Sequence, residues 1–198
     1  RDVKGVIEEL IEYFKQNGEI PLIRLYDERT VKKLQDTFPG KFIITEDRNS
    51  FDYVYSIEEL IKLSGKKFHS KKNHVNKFRK LYPDFKYEKM SPDNAGECLA
   101  LFDSWRENKE LDIDGYDEER EAICELLSNW SKLDVTGACL RVDGKMVAFS
   151  LGEPLKDDAV VIHLEHADTS YEGAFAMMNQ QFLEHECSLF HKYFLSFP

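Results

Sequence analysis

Between Leu60 and Pro83 the chain carries eight basic residues and no carboxylate, although the whole protein has a formal net charge of −10. The eight are Lys62, Lys66, Lys67, Lys71, Lys72, Lys77, Arg79 and Lys80, so the remaining residues hold a net −18. Such asymmetry sets up a local positive field that attracts phosphates and carboxylates. The bland alternative is a solvated helix face. Periodicity argues against it: Phe68, Val75, Phe78 and Tyr82 recur at helical spacing and form one apolar stripe. Lys71 falls in the middle of that stripe, while Lys72 and Arg79 flank one edge. A lysine on a packed face must snorkel, pair with a carboxylate or open onto a cleft. Lys71, Lys72 and Arg79 are therefore candidate ligands for an anionic group.

The rest of the composition narrows the class. With 198 residues, 42% hydrophobic and 32% charged, the chain has the make-up of an ordinary globular protein that can bury a core. No run approaches the roughly 20 apolar residues of a membrane helix, and no charged-then-apolar leader is present. The four cysteines, Cys98, Cys124, Cys139 and Cys187, have no CxxC pair, which suits free thiols in a reducing cytoplasm. A chain that opens on Arg1 reads as part of a longer polypeptide.

Two halves are predicted, 1–90 and 91–198. In the first, Val3 to Gln16 has helical apolar spacing and ends at Asn17-Gly18. Pro21-Leu-Ile-Arg-Leu-Tyr reads as a strand, Glu28 to Phe38 as a helix, Lys41-Phe-Ile-Ile-Thr and Asp52-Tyr-Val-Tyr as further strands. Ser56 is an N-cap with Glu59 at the capping-box position, and Ser64-Gly65 separates that short helix from the basic one. Phe85-Lys-Tyr-Glu closes the half. Ser91-Pro92 starts the second half as cap and first helical residue. Helices follow at Asn94–Lys109 and Glu118–Lys132, joined by the acidic loop Glu110-Leu-Asp-Ile-Asp-Gly. Asp143-Gly144 between two apolar runs is a strong hairpin signal. Val160-Val-Ile-His-Leu-Glu-His is the next strand, Gly173 to Cys187 a helix, and Tyr193-Phe-Leu-Ser-Phe a last strand.

The stretch Tyr-Val-Tyr-Ser-x-Glu-x-Leu-x-x-Leu-x-Gly-Lys-Lys-x-His-x-Lys-x-Asn-x-x-Asn-x-Phe, which starts at Tyr53, resembles the DUF2156 family, related to the C-terminal domain of bacterial phosphatidylglycerol lysyltransferase. The resemblance continues through Arg141-Val-Asp-Gly-Lys-Met-Val-Ala-Phe-Ser-Leu-Gly-Glu-Pro-Leu to about Glu186. It implies an α/β fold of tandem GNAT-like acyltransferase lobes, with mixed sheets flanked by helices. On that view, residues 1–90 are a partial first lobe and residues 91–198 a second lobe that lacks its last elements, because the chain stops before the family's acidic loop and basic tail. The implied activity is acyl or aminoacyl transfer. In the GNAT fold a helix start binds the cofactor pyrophosphate through its free N–H groups, which puts Gly173 and Ala174 forward as cofactor-binding residues. The Arg/Gln-x-x-Gly-x-Gly/Ala loop of CoA users is missing, and Glu172 would repel a pyrophosphate. Aminoacyl-tRNA is therefore the favoured donor over acyl-CoA, with an amine, hydroxyl or lipid head group as acceptor.

Candidate chemistry lies on the strand before that helix. His163 and Glu165 are two apart, so simple alternation turns both to one face. Glu165 is the candidate base for an amine nucleophile, or the group that binds an amino substrate, and His163 is a weaker candidate catalytic residue. The structural alternatives are a cross-sheet ion pair for Glu165 and a hydrogen-bonded core histidine for His163. No metal site is expected: His163 and His166, three apart on a strand, face opposite sides. Met177-Met178 reads as core packing. A binding module for RNA or an anionic ligand, built on a decayed transferase fold, is the rival to an enzyme.

Overall fold

The computed structural model describes residues 3–24, 27–48, 51–107, 116–188 and 193–196. The chain divides into two compact units, Arg1–Phe51 and Asp52–Pro198. The division expected at 90/91 falls inside the second unit, because a strand on one side of it pairs with a strand on the other.

The first unit contains α1 (Val3–Gln16) and α2 (Glu28–Thr37). Asp27 caps α2, its carboxylate accepting from the Arg29 and Thr30 N–H groups at 2.8 and 3.0 Å. The strands expected at Pro21 and Lys41 form no ladder over their described residues. A strand has no hydrogen bonds of its own and exists only where a partner supplies them. Leu22 and Ile43 are accordingly 75% and 97% exposed.

The second unit is built on one six-stranded sheet. Its strands are β1 (Tyr53–Ser56), β2 (Lys86–Lys89), β3 (Thr136–Val142), β4 (Lys145–Lys156), β5 (Ala159–Ala167) and β6 (Tyr193–Ser196), in the spatial order β1-β6-β5-β4-β3-β2. All pairs are antiparallel except β5–β6. The hairpin at Asp143-Gly144 is as expected: φ is +51° and +82°, the left-handed pair that a tight two-residue turn needs. The parallel pair requires a crossover, supplied by α7 (Ala174–Phe182) and the π-helical turn Leu183–Cys187. This mixed α/β sheet flanked by helices is the fold class that the GNAT resemblance implies.

Helices cover both faces. On one side lie α3 (Ile57–Lys62), α4 (His69–Leu81) and α7, packed through Leu60, Val75, Phe78, Met177, Met178 and Phe182 onto Leu140, Val160 and Ile162. On the other lie α5 (Ala95–Glu107) and α6 (Tyr116–Ser128), packed through Phe102 and Ile123 onto Phe149, Leu151 and Leu164. The acidic loop expected between α5 and α6, residues 110–115, lies outside the described residues. Ser56 caps α3 as predicted, accepting from the Glu59 N–H at 3.4 Å. Ser91 forms a capping box with Asn94, and Pro92 opens the short turn before α5.

Candidate functional site

The apolar stripe of α4 docks as its spacing requires, with Val75 and Phe78 buried. Lys71 is carried inward with that face and is only part-exposed. Its Nζ donates to Asn179 Oδ1 at 3.5 Å, the long limit of a hydrogen bond. Asn179, buried on α7, turns its amide Nδ2 to Glu165 Oε2 at 3.1 Å. One amide side chain thus bridges a lysine from α4 and a carboxylate from β5. Directly opposite Glu165 in the β4–β5 register is Ser150, fully buried. Its Oγ is, among the described residues, the buried side-chain polar atom without a hydrogen-bond partner. A buried hydroxyl left unpaired is costly, and its persistence needs an explanation.

The electrostatics follow from the enclosure. Protein atoms surround Glu165 densely, although part of its surface remains open, and burial pushes its carboxyl from 4.5 up to about 7. Working against burial are the Asn179 hydrogen bond, the charge of Lys71 and the nearby Ser150 hydroxyl, which is close enough to act without reaching hydrogen-bond geometry. Burial lowers the Lys71 ammonium in turn, against the opposing pull of Glu165. The proton affinities of the two groups are drawn toward each other.

The remaining predicted residues lie elsewhere. Lys72 is exposed. Arg79 donates to Gln180 Oε1 at 3.2 Å, and Gln180 donates in turn to the Ile61 carbonyl at 2.7 Å, so Arg79 joins the clamp that ties α3, α4 and α7. His163 hydrogen-bonds Glu153 on β4 at 2.9 Å. The alternation that would put His163 and Glu165 on one face fails at a bulge. The register slips between Leu151 and Gly152, so Ile162 belongs to the α7-side core and Leu164 to the opposite one. Gly173 has φ +88°, and a Cβ there would sit 2.3 Å from the His74 carbonyl oxygen. The start of α7 is therefore pressed against the α4 backbone. The Ala174 N–H is bonded to the Tyr171 carbonyl at 2.9 Å, and Glu172 is ion-paired with Lys77. Among the described residues no cluster of three metal-ligating side chains occurs.

Asn179 and Ser150 were not anticipated. The signal for Asn179 is the polar run Asn179-Gln180-Gln181 in a helix whose other side is Met177, Met178 and Phe182, all of them buried. For Ser150 it is a hydroxyl within the apolar run of β4, where seven consecutive residues from Met146 to Gly152 are buried.

The sequence profile of the family described as phosphatidylglycerol lysyltransferase, C-terminal, matches residues 1–195. Among solved structures the chain is similar to a conserved protein of unknown function from Bacteroides thetaiotaomicron, with 36% identity and a TM-score of 0.88 over 99% of this chain and 66% of that one. It is also similar to the C-terminal DUF2156 domain of a protein assigned as a lysylphosphatidylglycerol synthetase from Agrobacterium fabrum, with 14% identity and a TM-score of 0.66 over 98% and 59%. A functionally unknown conserved protein from Staphylococcus epidermidis has 12% identity and a TM-score of 0.51. At these low identities the last two bear on the fold alone. The chain spans 66% and 59% of the length of the first two relatives. No curated protein matches it.

Proposed function

Since the chain belongs to the phosphatidylglycerol lysyltransferase C-terminal family, we propose that it is part of a transferase that moves an aminoacyl group from the ester of an aminoacyl-tRNA to an amine or hydroxyl acceptor, a lipid head group among them. The observation that carries this reading is Glu165: a carboxylate in a polar recess, held by Asn179 and pushed up to about 7. A general base works best when its proton affinity lies near the operating pH, and burial tunes glutamate to that range. Glu165 accepts the proton that the attacking amine or hydroxyl gives up.

The donor preference rests on two surfaces, the outer side of α4 and the start of α7. Lys66, Lys72 and Lys80 are exposed along the basic segment, where a phosphate backbone can meet them. At the start of α7 the close approach of Gly173 to the His74 carbonyl and the bond already made by the Ala174 N–H to the Tyr171 carbonyl both oppose a pyrophosphate. No helix among the described residues is long and apolar enough to cross a membrane; a lipid acceptor would be met at its head group.

The test is Glu165→Gln in the full-length protein, assayed for aminoacyl transfer and for tRNA binding. Transfer is expected to slow by about 100-fold or more with binding unchanged, the size of general-base loss. Full activity in the variant removes Glu165 from the chemistry. A wild-type protein that binds tRNA and transfers to no amine or lipid acceptor would favour a non-catalytic binding module. Micromolar binding of acetyl-CoA would overturn the tRNA preference.

A further inference from the structure

The recess that holds Glu165 contains a second titratable group that the reading above leaves without a chemical role. We propose that Lys71 is the catalytic acid of the same transfer, protonating the departing oxygen while Glu165 takes the nucleophile's proton. The inference rests on the transferase reading and deepens it.

Spacing carries the argument. Lys71 and Glu165 come from elements far apart in sequence, α4 and β5, and meet through Asn179 on α7, with 3.5 Å from Lys71 Nζ to Asn179 Oδ1 and 3.1 Å from Asn179 Nδ2 to Glu165 Oε2. A direct ion pair would tie up both groups in each other. One amide between them keeps them within electrostatic reach, and among the described residues it takes up one of the ammonium's three donors and one of the carboxylate's oxygens. The Ser150 hydroxyl lies across the strand from Glu165 and adds a polar neighbour on the β4 side. Asn179, Gln180 and Ser150, the neighbours from α7 and β4, do not titrate, and the charge acting on each member of the pair is the other.

An ester donor gives both members of such a pair a proton to move. The nucleophile attacks the carbonyl carbon, a new C–N or C–O bond forms, and its proton passes to Glu165. When the donor's C–O bond breaks, the electron pair stays on the leaving oxygen. An alkoxide leaves poorly at neutral pH, and the Lys71 ammonium supplies its proton. Glu165 is then a carboxylic acid and Lys71 a neutral amine; the proton moves from one to the other, directly or through one water, and both recover their starting states. That return is easy because burial brings the two proton affinities together.

Two lysine esters, ethyl and 4-nitrophenyl, separate this role from a structural one in the full-length protein. The ethyl ester has a poor leaving group that needs a proton; nitrophenolate leaves without one. Lys71→Met is expected to slow enzyme-dependent cleavage of the ethyl ester about 100-fold and of the nitrophenyl ester less than about 3-fold. Glu165→Gln is expected to slow both. Equal losses on the two esters in Lys71→Met would overturn the acid role and leave Glu165 as base intact. A wild-type protein that cleaves neither ester and transfers no aminoacyl group from tRNA would remove the transferase reading and this inference together. A readout independent of turnover is the carbon-13 titration of Glu165: its midpoint near 7 is expected to rise in Lys71→Met, and an unmoved midpoint would show the pair to be uncoupled and overturn the proposal.

Discussion

Glu165 and His166 are adjacent on β5, open onto opposite faces of the sheet, and end in opposite circumstances. His166 is buried and Glu165 largely enclosed, and burial shifts both toward their neutral forms. His166 donates through Nε2 to Glu119 Oε1, 3.0 Å away, and is enclosed by the rings of Phe102, Trp105 and Phe149 at centroid distances of 4.9, 5.7 and 5.5 Å. Its walls are aromatic and packed. Glu165 is ringed instead by Asn179, Lys71 and an unpaired hydroxyl. Burial and a shifted proton affinity occur on both faces, so neither property identifies a site. The α4/α7 face is set apart by hydrogen-bonding capacity left unspent beside the titrating group.

That contrast depends on α4 being clamped to α7, and Gly173 is where the clamp is tightest. Gly173→Ala would place a methyl 2.3 Å from the His74 carbonyl oxygen at a φ of +88°, a conformation costly to any L side chain. The backbone itself would have to retreat. The expected loss is at least about 2 kcal/mol, seen as a fall in melting temperature of roughly 5 °C or more. The α5/α6 face should keep its packing, so near-ultraviolet signals from Trp105 should persist below the transition. An unchanged melting temperature would mean that α4 does not bear on α7, and Lys71 would lose its place beside Asn179.

The two faces should also impose opposite pH dependences on stability. Glu165 holds its proton more tightly in the folded chain, at about 7 against an ordinary 4.5, so between those values the folded state carries more protons than the unfolded one. Stability therefore falls as pH rises through that window and levels off above it. His166 holds its proton less tightly when folded, so below about 6.5 the unfolded chain takes up the proton first and stability falls as pH drops. Denaturant unfolding from pH 4.5 to 8 is expected to show Glu165→Gln gaining on wild type toward pH 8, by about 3 kcal/mol, and matching it near pH 4.5. His166→Leu should lose the acid-side decline while sparing activity; Glu119 would be left partly exposed, where water can solvate it. Identical pH slopes for wild type and Glu165→Gln would erase the difference between the faces.

How much of this was legible in the sequence depended on how local the cause was. Lys71 stood out because the helical period alone places it among Phe68, Val75 and Phe78, and Asp143-Gly144 announced a turn whose backbone few other residues adopt. Glu165 could be picked from its strand, but the face shared with His163 could not hold. Alternation assumes one-for-one pairing, and the bulge opposite Leu151 and Gly152 is a property of two strands together. Asn179 and Ser150 become informative only once β4, β5 and α7 are assembled. The same holds for the domain division: β2 reads as the end of a first half until its pairing with β3 draws it into one sheet. The expected strands of the first unit show the converse, since an extended apolar run is a strand only if it finds a partner.

The smallest expected effect on stability belongs to the exposed lysines between Leu60 and Pro83, on α4 and the turn before it, and it sharpens the contrast between spent and unspent groups within one basic segment. Lys62, Lys67 and Lys77 are already matched to Glu58, Glu59 and Glu172. Lys66, Lys72 and Lys80 are exposed on the same run. Changing these three to Ala removes charge from a solvated surface, where single substitutions away from packed features move stability by only about 0.5 kcal/mol or less. Binding to a polyanion responds differently. Each lysine that neutralises a phosphate releases a counterion, so removing one should make the slope of log affinity against log salt shallower by about 0.9 in duplex regions. Filter binding of tRNA across a salt series is expected to give a slope shallower by roughly 2 to 3 for the triple variant, with an unchanged melting temperature. The matched lysines serve as the comparison: replacing Lys62, Lys67 and Lys77 frees three carboxylates as it removes three cations, so weaker binding there would come from repulsion as well as from the missing positive charge. An unaltered slope for the Lys66, Lys72 and Lys80 variant would move any nucleic-acid docking off this helix and leave α4 with one chemical task, the delivery of Lys71 to Asn179.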